Sequence, residues 1–173
     1  SLPGYANIGS YGGYMYGNAD VTLKNGSSIT ATNLGVELQE GKEVKLTLED
    51  TSSLTATKLS NQGSIVLAST EATITANSGV SNITTTVADY KLAYVDGAYK
   101  VVAKEYVAYI GTQGYESLAE ALTAAADGET VSLSWAEGNP AIAMNGAVFG
   151  KSVTITGTAN VDWSKGWFFV GRG

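Results

Sequence analysis

The chain contains no cysteine and no histidine. Disulfides, thiol nucleophiles, the usual zinc and haem ligands and the commonest acid–base side chain are therefore excluded together. Arginine is nearly absent: Arg172 stands alone beside nine lysines and sixteen acidic residues. With a net charge of −6, the chain lacks the basic face that a nucleic-acid groove needs. Charged residues make up only 15% and there are two prolines. No apolar run approaches the ~20 residues of a spanning helix, and Ser1 opens no signal-peptide pattern. The expectation is no membrane span, in a chain that is either soluble or a processed or excerpted piece.

What is present is apolar, small and hydroxylated. The 173 residues are enough for one domain or two small ones, and 44% are hydrophobic, so a core can form. There are 19 Thr, 16 Ser, 21 Gly and 10 Tyr, a composition that favours strands and uses hydroxyls where other surfaces use charge. The first stretch, residues 5–17, interleaves glycines with Tyr11, Tyr14 and Tyr16, which reads as strands broken by bends.

A degenerate repeat follows. Val21-Thr22-Leu23, Leu46-Thr47-Leu48 and Ile65-Val66-Leu67 are each succeeded, eight or nine residues on, by Ile29-Thr30-Ala31, Leu54-Thr55-Ala56 and Ile74-Thr75-Ala76. Each copy then reaches an Asn-containing segment that reads as a turn, at residues 33–35, 61–63 and 77–79. Short alternating strands recurring every 25 and then about 20 residues predict a β-solenoid, in which equivalent residues stack one rung apart. Glu49 to Ser53 reads as a turn on its outer wall. The pattern fades after Val87, where Tyr90 to Val102 around Asp96-Gly97 predicts a hairpin with Lys91 and Lys100 guarding its edge. The boundary expected is at Ala103/Lys104.

Beyond it, residues 106–110 predict a strand and residues 111–114 a turn. Ser117 with Glu120 predicts a capped helix over 117–126, with Leu118, Ala121, Leu122 and Ala125 at helical spacing and Asp127-Gly128 as its stop. Strands are expected at 130–134 and 152–157.

Four segments carry a resemblance: Tyr109-Ile110-Gly111, residues 115–122, residues 124–133 and Lys151 to Gly157. They resemble the opening of right-handed parallel β-helix domains of the pectin-lyase-like fold, found in large repetitive bacterial surface proteins. The resemblance implies a short amphipathic helix covering the start of a solenoid, with Thr130-Val131-Ser132-Leu133 as its first rung. It extends more loosely to residues 19–88 as later rungs. The expected fold is all-β, a right-handed parallel β-helix with a hairpin linker and one capping helix. The divisions are residues 1–88 as the C-terminal rungs of one β-helix, 89–103 as the linker, and 104–173 as the cap and first rungs of a second.

Chemistry is hard to find in such a chain. Acids of the first solenoid fall in polar turns, which suits solvated wall charges better than two carboxylates flanking a sugar. Without Arg in the body, lyase chemistry lacks its usual base and substrate clamp. No Ser-His pair exists, the Gly9–Gly13 segment carries no Lys for phosphate, and calcium ligands are too sparse. No enzyme activity and no cofactor or metal is expected. The aromatics at the two ends, Tyr11, Tyr14, Tyr16, Trp163, Trp167, Phe168 and Phe169, are the candidate subunit-interface residues. The expectation is a structural or adhesive protein of the bacterial cell surface, either a stalk repeat beside similar repeats or a head-to-tail filament subunit. The alternatives are a glycan-binding or glycan-cleaving β-helix and a phage tail fibre.

Overall fold

The computed structural model describes residues 2–8, 19–36, 42–135, 139–148 and 150–168. It is mostly strand with one short helix, and it divides into two compact units, Ser1–Ala103 and Lys104–Gly173.

Unit 1 comprises β1 (Leu2–Ile8), β2 (Ala19–Leu23), β3 (Ser28–Val36), β4 (Val44–Leu48), β5 (Ser53–Asn61), β6 (Ser64–Leu67), β7 (Thr73–Thr75), β8 (Ile83–Thr85), β9 (Tyr90–Val95) and β10 (Ala98–Ala103). The chain alternates between two sheets. Odd strands pair in parallel in the order β1-β3-β5-β7, and even strands in the order β2-β4-β6-β8.

The sequence repeat is the register of these ladders. Val21 pairs with Leu46, Leu46 with Ile65 and Ile65 with Ile83 across the even sheet. Ile29 pairs with Leu54 and Leu54 with Ile74 across the odd one. Because side chains alternate faces, one residue of slip would turn every apolar column outward. Leu46, Leu48, Leu54, Ile65, Leu67 and Ile74 are each 0% exposed and form one core. Their strand neighbours Thr30, Thr55 and Thr75 are exposed in a column of their own.

One expected turn is instead strand. Asn33-Leu34-Gly35 stays within β3, paired with Lys58-Leu59-Ser60, because Leu34 and Val36 are both needed in the core, at 1% and 0% exposure. The expected turn after Leu48 is present, with Asp50 at φ 52° and its Oδ2 accepting the Asn25 N–H at 3.1 Å from the turn after β2. At its end Ser52 turns inward, fully buried, with no partner for its Oγ. It immediately precedes Ser53, which pairs with Thr73, and the residue before Thr73 is the equally buried Ala72. Removing a buried, unpartnered hydroxyl relieves its desolvation cost, so Ser52→Ala is expected to raise stability by about 1 kcal/mol, read from the urea midpoint.

The hairpin does not stand apart as a linker. β10 pairs antiparallel with β7, β9 pairs with β10, and β9 also lies beside β8, so both sheets end at the hairpin. Asp96 (φ 51°) and Gly97 (φ 78°) supply the two positive φ angles of its turn. Tyr99, 6% exposed, fastens it: its hydroxyl accepts from Val80 N–H at 2.7 Å and donates to Asn77 O at 3.2 Å. Tyr94 stands edge-on to Tyr99 at 4.8 Å and donates to Ala76 O. Tyr99→Phe strands a backbone N–H and is expected to cost about 1–2 kcal/mol in thermal or urea unfolding.

Unit 2 comprises β11 (Ala108–Ile110), β12 (Gln113–Tyr115), α1 (Leu118–Ala124), β13 (Thr130–Leu133), β14 (Ile142–Val148), β15 (Thr154–Thr156) and β16 (Val161–Phe168). Ser117 caps α1, its Oγ accepting the Glu120 N–H at 3.2 Å. The helix stops at Ala124, short of the expected 126, because Ala125 leaves helical ψ; Lys151 Nζ then takes the carbonyls of Thr123 and Ala125. Leu118, Ala121 and Leu122 bury the inner face against β14, β11 and β12. β13 and β15 pair in parallel, as do β14 and β16, while β11 and β12 add antiparallel strands on the other side of β13.

Candidate assembly edges

Among the described residues, each unit has antiparallel strands at one end of its ladders and parallel strands outermost at the other. Unit 1 finishes at the antiparallel hairpin, and its outermost parallel strands at the opposite end are β1 and β2. Unit 2 finishes at α1 and the β11–β12 hairpin, and its outermost parallel strands are β15 and β16.

Apolar residues of these outermost strands are less buried than their ladder partners. In β2, Val21 and Leu23 are only partly buried, whereas Leu46 and Leu48 beside them are 0% exposed. In unit 2, Ile155 is partly buried while its partner Val131 is 0% exposed, and Val161 is partly buried beside Ile142 at 5%. The same apolar column that is sealed in the middle of each ladder is open at its edge strand.

Backbone donors follow the same division. Ala19 N–H bonds Glu43 O and Leu23 O accepts from Glu49 N–H, so the alternation of a parallel strand aims Asp20 and Thr22 N–H away from β4. Thr154 N–H bonds Glu129 O, which aims the N–H and C=O of Ile155 to the free side of β15.

Among the expected interface residues, Trp163 is described with its side chain, half-buried on β16 against the unit 2 core. Trp167 and Phe168 lie in β16 by their backbone. Tyr11, Tyr14, Tyr16 and Phe169 lie outside the described residues. What the sequence leaves out is which backbone groups of the outermost strands point away from their ladder partners, such as those of Asp20, Thr22 and Ile155. Thr154-Ile155-Thr156 repeats the strand style of Thr73-Ile74-Thr75.

Several charged side chains among the described residues pair with each other or serve turns. Lys24 and Glu49 pair at 3.0 Å with side chains 57% and 36% exposed, a solvated contact of small worth. Asp50 serves its turn. On β16, Asp162 accepts from Ser164 N–H at 2.9 Å, and that bond, with the Ser164 hydroxyl and nearby Lys165, holds its carboxyl below the usual range. Among the described residues no group of three or more acids comes together as a metal site, and no helix is long and apolar enough to cross a membrane. No protein-family model, no curated protein and no solved structure matches the chain.

Proposed function

We propose that the chain is a non-enzymatic structural element of a bacterial cell surface, a right-handed parallel β-helix whose stacked rungs extend and space what they carry. The observation that supports this reading most is the register of unit 1, where the repeat puts Val21, Leu46, Ile65 and Ile83 in one column and Ile29, Leu54 and Ile74 in another. Columns of this kind make length from repetition, and nearly every side chain is then committed to packing or to a hydroxylated wall. The lack of His and Cys, the single Arg and the solvated wall acids fit a molecule with mechanical work and no chemistry.

The test is to join two and three copies of the chain head to tail and measure small-angle scattering. A spacer predicts a maximum dimension that grows by equal increments while the cross-section stays constant. A cross-section that grows with copy number overturns the reading, as does release of reducing ends or unsaturated sugars from a polysaccharide panel. Binding to a glycan array without cleavage would favour the carbohydrate-binding alternative instead.

A further inference from the structure

Asparagine followed by glycine is the pair in which a backbone nitrogen reaches a side-chain amide most easily, because glycine brings no side chain to hinder the approach. The chain holds this pair twice, at Asn25-Gly26 and Asn145-Gly146, and the fold treats the two differently. Asn145 and Gly146 lie inside β14, paired with Lys165 and Gly166 of β16. Asn25 and Gly26 form the exposed turn between β2 and β3, at φ 54° and 75°, closed by Ser27 N–H on Lys24 O at 3.1 Å. Two positive φ angles in succession make this a type I′ turn, and rotating its central peptide gives the type II′ form. That flip carries ψ of the first residue from about +30° to about −120°, where the Gly26 nitrogen eclipses the Asn25 Cβ and comes within ring-closing reach of Cγ. Among the described residues, the Gly26 N–H and the Asn25 carbonyl make no hydrogen bond that the flip would break. The bonds that hold the turn, Ser27 N–H to Lys24 O and Asn25 N–H to Asp50 Oδ2, belong to the two flanking peptides, which stay in place.

We propose that Asn25 is a site of spontaneous deamidation, converted by water to aspartate and isoaspartate while Asn145 is spared. The Gly26 nitrogen bonds to the Asn25 Cγ and the Cγ–Nδ2 bond breaks. The side-chain nitrogen leaves as ammonia, carrying the proton of the Gly26 N–H. Water then opens the five-membered imide ring. Addition at Cγ restores the peptide with an aspartate; addition at the main-chain carbonyl leaves the chain running through Cγ as isoaspartate. Nothing is oxidised or reduced. Either product adds one negative charge to the chain's −6, in a turn that already faces the Asp50 carboxylate, and isoaspartate also inserts a methylene into the backbone. Two other residues mark the limits of the site. Asn82 shares the positive φ, at 56°, but its carbonyl accepts from Ile65 N–H at 3.0 Å and the β-branched Ile83 follows it, so its peptide is held and the approach hindered. Asp96-Gly97 makes the same turn, at φ 51° and 78°, but offers a carboxylate, a far poorer electrophile than an amide.

The experiment incubates the 173-residue chain for several days in mildly alkaline buffers, with and without urea, and follows it by cleavage after lysine and mass spectrometry. Such cleavage places Asn25 in residues 25–42, Asp96 in 92–100 and Asn145 in 105–151. Fragmentation locates each change, and methylation by an isoaspartyl methyltransferase counts the isoaspartate. In the folded chain Asn25 should convert at least tenfold faster than Asn145, the ratio that follows when Asn145 must first leave its ladder at a cost of ~1.4 kcal/mol. In urea the two rates should converge, since the unfolded dipeptides are alike. Asn25 that stays amidated in the folded chain and converts only in urea overturns the site, because the turn then protects it. Equal rates at Asn25 and Asn145 in the folded chain overturn the part played by the fold. A rate that does not climb with pH overturns attack by the Gly26 nitrogen, which must lose its proton to react.

Discussion

Leu46→Ala is expected to destabilise unit 1 by about 3–5 kcal/mol, which is a large part of the stability of a domain this size. Leu46 is 0% exposed at the centre of the even sheet, stacked between Val21 and Ile65. The strands on either side are held by continuous parallel ladders and cannot collapse into the space a lost isobutyl group leaves. The residual cavity therefore adds to the lost transfer energy. The exposed Thr55→Ala should change stability by less than about 0.5 kcal/mol. Urea unfolding measures both, and the spectroscopy is favourable. All three tryptophans, Trp135, Trp163 and Trp167, belong to unit 2, so circular dichroism compared with tryptophan emission separates the units. The Leu46→Ala shift should appear in the dichroism and be absent from the tryptophan signal, because the core around Leu46 contains residues of unit 1 alone.

Gly157→Ala should do in unit 2 what Leu46→Ala does in unit 1, by the opposite means. Gly157 leaves β15 at φ 125°, a conformation an L side chain rarely adopts. A Cβ there would stand 2.7 Å from Leu133 O and 2.9 Å from Leu133 Cβ, atoms fixed within β13. Backbone strain and overpacking act together, and the expected cost is about 2–5 kcal/mol. Tryptophan emission in urea is the readout. Thr156→Ala, one residue away and exposed, is the control and should be nearly silent.

Much of this arrangement is legible in the sequence because a parallel ladder translates spacing directly into contact. The triplets that recur along the chain are the triplets that pair, from Val21 through Ile65 and from Ile29 through Ile74. Asp96-Gly97 announces its turn through the φ angles it permits, and Ser117 announces its helix through the donor it satisfies. The missed features depend on distant partners. Asn33-Leu34-Gly35 has turn chemistry, yet burial of Leu34 and Val36 outweighs it. The hairpin reads as a separate piece because nothing local says that Lys100 will pair with Thr73. β14 and β16 alternate over Ile142–Asn145 and Val161–Ser164, but the register shift between Ala143 and Asn145 where they pair has no local signal. The candidate edges were legible only in part. A column of partly buried residues at an end differs from a sealed one by its neighbours, and neighbours in a ladder are a tertiary fact.

The central claim is that the repeat stacks in parallel and in the stated register. With no native cysteine, a pair introduced on the exposed column gives an unambiguous disulfide. Thr30 and Thr55 are direct partners and both exposed, so their Cα atoms are about 4.8 Å apart, within bridging distance. Thr30 and Thr57 are offset by two residues, about 8 Å apart, beyond it. Under mild oxidation of the two double-cysteine chains, T30C/T55C should close to a bridged monomer while T30C/T57C stays reduced. Equal closure of both pairs, or preferential closure of the offset pair, would contradict the parallel register of β3 and β5.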